Sequence, residues 1–197
     1  MGRSALEIAE QAIAGGVDIV QMREKNKSLQ ELVKLGKDLA AVCKSSGAMF
    51  IVNDDPMLVH RVGADGVHLG QEDIDRFPLT KARDILGQEK TIGVSTTSRA
   101  QFDKANASGE DVDYIAFGPI FPTTLKDHHV GTDDIEYVMK VARKPVFFIG
   151  GINMANIDEI LSLGGRNIAV IRAITEAGDI RSGSRQLKDK IQGDSHG

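Results

Sequence analysis

The chain alternates short apolar runs with longer stretches whose apolar residues recur at helical spacing. Short runs rich in β-branched residues and bounded by turn residues predict buried strands, whereas spacings of three and four residues predict amphipathic helices. Ser28 and Glu31 form a capping box that opens the longest predicted helix, and Gly47 ends it. The pattern predicts seven strands, at residues 17–22, 49–52, 66–69, 91–94, 113–117, 145–149 and 167–171.

Regular alternation of strands and helices predicts right-handed βαβ units around a parallel sheet. Polar residues follow almost every predicted strand, which is typical of an α/β fold of the TIM (β/α)8 type. We expect one barrel domain over residues 1–197, with residues 193–197 as a disordered tail. The chain opens on a helix, so we expect the first of the eight strands to be missing and a gap between the first and last strands present.

Two predicted strands end at clusters of acidic and amide residues. Asn53, Asp54 and Asp55 follow one strand, and Gln71, Glu72 and Asp73 follow the next. Parallel strands of a barrel end at the same rim, so the two clusters should meet there. Each aspartate alone is more simply explained as a helix cap. The paired arrangement favours a divalent cation, because Mg²⁺ takes one or two carboxylates together with phosphate oxygens of a substrate.

The composition narrows the range of partners. A net charge of −4 gives no broad basic surface for nucleic acid, and no apolar stretch approaches the ~20 residues of a membrane span. Cys43 is the only cysteine, which fits a reducing compartment, and it shares an apolar helix face, so we expect a core residue. We therefore expect a cytoplasmic protein with small-molecule partners, no nucleic acid and no membrane. The open barrel edges make a homo-oligomer possible.

Candidate phosphate ligands follow the last two predicted strands. Gly150-Gly151 precedes a helix expected to begin at Asn153, and Ile171-Arg172 precedes the last one. Barrels often bind phosphate with these two loops. Cations for a polyanion are available at Arg23, Lys25 and Lys126, the last within a long loop at residues 118–132.

No protein nucleophile can be assembled from the sequence. His68 lies within a strand and is expected to be a hydrogen-bonded core histidine. The pattern therefore favours a metal-assisted reaction on a phosphorylated substrate.

Seven segments, spread from about Ala5 to Ala173, resemble thiamine-phosphate synthase in order and spacing. They are VQMREK, VNDD, DGVHLGQED, GVSTTS, AFGPIFPTTLK, FFIGGIN and IAVIRAI. The resemblance implies a barrel transferase that joins hydroxymethylpyrimidine diphosphate to a thiazole phosphate. The products would be thiamine phosphate and pyrophosphate, Mg²⁺ would be required, and the pyrophosphate would leave before the thiazole nitrogen attacks.

The resemblance also implies roles for individual residues. Gln21, Arg23, Lys25, Asn53 and Lys126 would bind the pyrimidine diphosphate, and Ser95 would lie at the reacting pyrimidine. Thr123, Gly151, Ile171 and Arg172 would bind the thiazole phosphate, and Asp54 and Asp73 would hold Mg²⁺. Ser95, Lys126 and Arg23 would be the catalytic residues.

The chain departs from the family pattern at three places. Leu125 stands where the family usually has a hydroxyl residue, Arg172 stands where it often has serine, and the apolar opening strand is missing. Two alternatives remain open. One is a barrel resembling thiazole tautomerase, which would not need the diphosphate and metal residues. The other is a non-catalytic barrel that binds phosphorylated ligands.

Overall fold

The computed structural model describes residues 2–123 and 129–193, and its centre is a single seven-stranded parallel sheet. The strands lie side by side in chain order, each hydrogen-bonded to the next. They are β1 (Ile19–Met22), β2 (Met49–Asn53), β3 (Gly66–Leu69), β4 (Thr91–Thr96), β5 (Tyr114–Phe117), β6 (Val146–Ile149) and β7 (Ile168–Ala169). The predicted barrel-type α/β fold with seven parallel strands is confirmed.

Helices connect the strands and pack on the outer face of the curled sheet. They are α1 (Ala5–Ala14), α2 (Leu29–Ser46), α3 (Pro56–Val62), α4 (Gln71–Arg76), α5 (Leu79–Leu86), α6 (Arg99–Asn106), α7 (Ile135–Val141), α8 (Ile157–Ser162), α9 (Arg172–Thr175) and α10 (Ile180–Gln192). A 3₁₀ turn, Gly109–Asp111, lies between α6 and β5.

Local sequence signals account for the ends of the longest helix. Ser28 accepts a hydrogen bond from the Glu31 amide, and the Glu31 carboxylate accepts one from the Ser28 amide, so the predicted capping box is present. Gly47 closes α2 with a φ of 73°, a left-handed conformation that glycine adopts at little cost. These contacts lie within a few residues of one another, so sequence is enough to predict them.

The two edges of the sheet are β1 and β7, and no strand pairs between them within residues 2–123 and 129–193. The predicted gap between the first and last strands is therefore present in the described part of the chain. Helices α1 and α10 pack against each other outside it. Their backbones approach closely at Gly15, where an added Cβ would stand 2.5 Å from the Ser184 Cβ. Arg3 adds a hydrogen bond of 2.6 Å to the Ala177 carbonyl.

Two apolar clusters fill the space between the sheet and its helices. One gathers side chains of the first half of the barrel around Phe50 and Val67, and the other gathers those of the second half around Phe117 and Phe148. Cys43 belongs to the first cluster with 1% of its surface exposed. Burial, with a smaller effect of Asp65, raises the pKa of its thiol to about 11. Its predicted place in the core is confirmed.

Several predicted boundaries were wrong. Ser95 and Thr96 belong to β4, because their backbones pair with β5 at Ala116 and Phe117. Helix α8 begins at Ile157, four residues after its expected cap at Asn153, because the intervening turn is held by bonds between the asparagine side chains and the backbone.

None of the helices described is long and apolar enough to cross a membrane. The predicted tail lies outside the described residues except for Gly193.

Candidate active site

Strand register brings four residues from four strands into one row across the sheet. Asn53 pairs with His68, His68 with Gly93, and Gly93 with Tyr114. Partners in a parallel ladder point to the same face, here the inside of the curled sheet. The row lies at and just below the rim where the carboxyl ends of the strands meet, which is where barrels bind their ligands.

The first part of the site is an amide pair at the ends of β1 and β2. The Gln21 side chain donates a hydrogen bond of 2.7 Å from Nε2 to the Asn53 Oδ1. The Asn53 amide nitrogen in turn donates to a carboxylate oxygen of Asp54. Asp54 has a φ of 70°, which side chains other than glycine rarely adopt, although aspartate tolerates it better than most. Its amide is held by the His68 carbonyl at 2.9 Å.

The second part is the carboxylate pair predicted from the two acidic clusters. Asp73 lies in the first turn of α4, where it accepts a hydrogen bond of 2.8 Å from the Gly70 amide. Burial raises the pKa of Asp73, and the Gly70 bond opposes that effect. Contact with Asp54 raises the pKa further, so the two carboxyl groups are neighbours. The structure thus brings Asp54 and Asp73 together at the rim.

The third part is a chain of three polar side chains inside the sheet. His68 is 7% exposed, with its Nδ1 2.9 Å from the Tyr114 hydroxyl and its Nε2 2.8 Å from the Ser95 Oγ. Burial lowers the pKa of His68 to about 4, against a smaller opposing effect of Asp54. The expectation of a hydrogen-bonded core histidine is confirmed, and its partner Ser95 is one of the predicted site residues.

Sequence reasoning missed Tyr114, which the row places beside His68. The two rings stack with centroids 5.5 Å apart, and Phe147 meets Tyr114 edge-on at 5.2 Å. They come together over Gly93, where an added Cβ would stand 1.9 Å from a Tyr114 ring carbon. A glycine inside a strand often marks such a close approach, so Gly93 was the available signal.

The opposite side of the rim is formed by backbone. Pro119 follows a cis peptide bond, and Ile120 and Phe121 donate to the Ile149 and Gly150 carbonyls at 2.9 and 3.0 Å. Gly151 has a φ of 68°, and an added Cβ would lie 2.7 Å from the Pro122 carbonyl oxygen. These contacts hold the Gly150-Gly151 turn against the loop that leads to Thr123.

The remaining predicted site residues are placed as follows. Arg23 and Lys25 are exposed directly beyond the end of β1. Thr123 is half-buried, and Ile171 caps the start of α9 without a side-chain bond, next to exposed Arg172. Lys126 and Leu125 lie outside the described residues. Within residues 2–123 and 129–193, no three His, Cys, Asp or Glu side chains form a complete metal cluster.

The structure is therefore an open (β/α) barrel, the class of fold that binds its ligands at the carboxyl ends of the strands. Carboxylate, amide and hydroxyl groups lie at one side of this rim, and glycine-lined backbone lies at the other. Comparison with known families is more specific. The family model described as thiamine monophosphate synthase matches residues 2–174. The chain belongs to this family.

Individual relatives agree. The chain is 41% identical over 193 residues to the thiamine-phosphate synthase of Persephonella marina, covering 97% of this chain and 90% of that protein. It is 41% identical over 188 residues to the corresponding protein of Thermosynechococcus vestitus, covering 94% of this chain and 52% of that longer protein. Among solved structures, thiamine phosphate pyrophosphorylase from Pyrococcus furiosus superposes with a TM-score of 0.87 at 32% identity, over 97% of this chain and 92% of that one.

Proposed function

We propose that this chain is a thiamine-phosphate synthase, a transferase that joins hydroxymethylpyrimidine diphosphate to a thiazole phosphate. The thiazole would be hydroxyethylthiazole phosphate or its carboxylated form. The products would be thiamine phosphate and pyrophosphate, with carbon dioxide as a further product from the carboxylated form. Family membership supports this activity. The observation that carries it is the contact between Asp54, which follows β2, and Asp73 in the first turn of α4, next to the Gln21–Asn53 pair. These groups suit a diphosphate and its metal.

The carboxylate pair fits Mg²⁺. Asp54 is one of the groups that raise the pKa of Asp73, and a cation between the two carboxylates would relieve the repulsion that this reflects. Two protein carboxylates leave most of the six positions of Mg²⁺ for water and phosphate oxygens, as is usual for this ion. When bound, Mg²⁺ would neutralise charge on the diphosphate. The Asn53 and Gly70 bonds hold the two carboxylates in place for this role.

The cationic and amide residues would bind the rest of the pyrimidine diphosphate. Arg23 and Lys25 follow β1 directly, so they stand at the same rim as the carboxylates. Gln21 and Asn53 orient each other and present amide groups to the substrate. Lys126 is proposed to approach the diphosphate from the loop after β5.

The glycine-lined side of the rim is proposed to bind the thiazole phosphate. Backbone amides at Gly151 and at the start of α9, Ile171 and Arg172, are suited to a phosphate because backbone N–H groups donate to its oxygens. A backbone contact does not depend on the side chain, so Arg172 can serve at this position. Thr123 adds a hydroxyl from the adjoining loop.

The proposed chemistry needs no protein nucleophile. The bond between the pyrimidine methylene carbon and the diphosphate oxygen breaks, and its electron pair leaves with pyrophosphate. The thiazole nitrogen then supplies its lone pair to the resulting cation. The protein's contribution is to stabilise the leaving diphosphate through Arg23, Lys25 and Lys126, and to hold the pyrimidine at Ser95.

We also propose small phosphorylated substrates as the partners, with no nucleic acid and no membrane, and a cytoplasmic location. The single, buried cysteine and the net charge of −4 support this view. A homo-oligomer is a further proposal, supported by the unpaired edges of β1 and β7. The tautomerase-like alternative leaves the Asp54–Asp73 pair without a role, and the turnover test separates synthesis from binding alone.

The test is turnover with both substrates, read as thiamine phosphate formed and pyrophosphate released. Asp54→Asn should lower kcat by at least about 100-fold, because a metal-holding charge contributes several kcal/mol to the transition state. Asp75→Asn, an exposed aspartate on α4, is the matched control and should keep full activity. A parent chain without turnover, or an active Asp54→Asn chain at low Mg²⁺, would contradict the proposal.

A further inference from the structure

Tyr114, His68 and Ser95 are joined by two hydrogen bonds, and the available hydrogen atoms decide which group donates in each bond. A phenol carries one hydrogen to donate, and a serine hydroxyl carries one as well. A histidine ring in contact with a hydroxyl at each nitrogen can donate from Nδ1, from Nε2 or from both. The three arrangements leave different groups free to face the substrate, so deciding between them decides what Ser95 recognises.

The surroundings of Tyr114 decide which ring nitrogen of His68 carries the hydrogen. Its hydroxyl has His68 Nδ1, at 2.9 Å, as its one hydrogen-bond partner in the part of the chain that the structure describes. Most of the ring is buried between His68 and Phe147, and this burial raises the pKa of its hydroxyl. If His68 carried a hydrogen on Nδ1, whether neutral or charged, the phenol hydrogen would have no acceptor among these residues. Leaving a buried donor unpaired is costly. The phenol therefore donates to Nδ1.

The donor in the second hydrogen bond, between His68 and Ser95, follows from the first. With Nδ1 accepting, the neutral imidazole carries its hydrogen on Nε2 and donates to the Ser95 Oγ at 2.8 Å. The Ser95 oxygen then accepts from His68 with one of its lone pairs, so its own hydrogen is not used in this bond and can be donated to another acceptor. The neighbouring backbone carbonyl of Ser95 already accepts from the Gln71 side chain at 2.6 Å, so the strand end is fixed on both sides.

We propose that Tyr114 and His68 are positioning residues that fix Ser95 as a hydrogen-bond donor into the barrel, so that it recognises an acceptor atom of the substrate. This rests on the proposed function, in which Ser95 faces the reacting pyrimidine. The acceptor is either the oxygen that joins the methylene carbon to the diphosphate or a ring nitrogen of the pyrimidine. If Ser95 instead accepted a hydrogen bond from a substrate N–H group, its own hydrogen would have no part in recognition, and fixing the direction of that hydrogen would serve no purpose.

The direct test is the tautomer of His68, which needs no substrate. In protein labelled with ¹⁵N-histidine, His68→Gln identifies the His68 signals among the five histidines. We expect Nε2 to carry the hydrogen and Nδ1 to give the signal of an unprotonated acceptor. A hydrogen on Nδ1 overturns the proposal whether or not the chain proves to be a synthase, so the two failures are distinguishable.

The kinetic test uses Tyr114→Phe, which removes only the donor. We expect kcat/KM to fall about tenfold, the effect of one lost hydrogen bond, while the melting temperature stays close to that of the parent. If the acceptor is the leaving oxygen, the loss should appear in kcat with KM unchanged, because its charge develops only in the transition state. If it is a ring nitrogen, which is bonded in the ground state as well, the loss should appear as a raised KM with kcat unchanged.

Two controls separate positioning from general disturbance. Tyr137→Phe changes the other tyrosine of the chain, which bonds to Asp103 outside the barrel, and should leave kcat unchanged. In a Ser95→Ala background, Tyr114→Phe should have no further effect on kcat/KM, because there is no hydroxyl left to orient. Unchanged kcat/KM in Tyr114→Phe, or an undiminished effect in the Ser95→Ala background, would overturn the proposal.

Discussion

At the scale of single residues, Gly93 shapes the site by having no side chain. His68 and Tyr114 flank it on neighbouring strands, and their rings can approach only because the position between them is empty. The approach gives His68 a polar partner on each ring nitrogen while keeping it buried. A buried histidine with both nitrogens bonded is stable as the neutral ring and unstable as the cation.

Burial of His68 makes stability depend on pH. Its pKa is about 4 in the fold and 6.5 unperturbed. The unfolded chain therefore binds more protons between these values, and stability is lost as pH falls through that window. From about pH 7 to about pH 4.5 we expect His68 to lower the free energy of unfolding by roughly 2.5 kcal/mol, measured by urea denaturation.

His68→Gln should flatten this part of the pH profile, although its stability at neutral pH should be lower because the bonds to Ser95 and Tyr114 are disturbed. His60→Gln removes an exposed histidine and should leave the profile as it is in the parent. The same slope in His68→Gln and in the parent would mean that another group controls the acid transition.

At the scale of elements, a buried arginine joins α5 to the start of the β4–β5 pair. Arg83 donates to the Gly87 and Lys90 carbonyls at 3.0 and 2.6 Å and forms an ion pair with Asp113 at 2.6 Å. Asp113 also accepts the Ile92 amide at 2.6 Å. One carboxylate thus ties a helix and two strands together at the end of the barrel away from the rim.

Asp113→Ala should destabilise the fold without changing the site. Breaking a buried pair costs about 3–5 kcal/mol, but the Asp113 side chain is 43% exposed, so solvent reduces the effect to about 2 kcal/mol. The melting temperature should fall by about 4–8 °C for a chain of this size. Asp38→Ala, which breaks the exposed Lys34–Asp38 pair, should cost less than about 0.5 kcal/mol. Equal effects of the two variants would contradict the assignment.

At the scale of the whole molecule, the described sheet has two edges, and both border the gap in the barrel. The strands β1 and β7 each present unpaired backbone groups there, and α1 and α10 cover the outside. An apolar parallel strand in this position would pair with both edges at once and complete the layer of side chains inside the barrel. Its connection to β1 through α1 would be a right-handed crossover.

Fusing an apolar β-strand upstream of α1 should raise the melting temperature by several degrees, because each 1 kcal/mol shifts it by about 2–4 °C at this size. A glycine–serine extension of equal length is the control and should leave the melting temperature unchanged. If both extensions change the melting temperature by the same amount, the gap between β1 and β7 does not accept a strand.

The sequence by itself determined the elements and their order. Strand identity, the capping box of α2 and the glycine at its end depend on residues close in the chain, so period and cap signals suffice. It also determined that Asp54 and Asp73 would meet, because consecutive parallel strands end at one rim. Boundaries such as the end of β4 were wrong because pairing with β5, not local preference, extends that strand to Thr96.

Only the tertiary structure decided which side chains touch across strands. Gln21 and Asn53 are 32 residues apart, and His68 and Tyr114 are 46 apart, yet each pair is in hydrogen-bond contact. Strand register sets these contacts, and a shift of one residue would turn every one of these side chains to the other face. Register is fixed by how the whole set of helices and strands packs, so the sequence could signal a close approach at Gly93 but not that Tyr114 makes it.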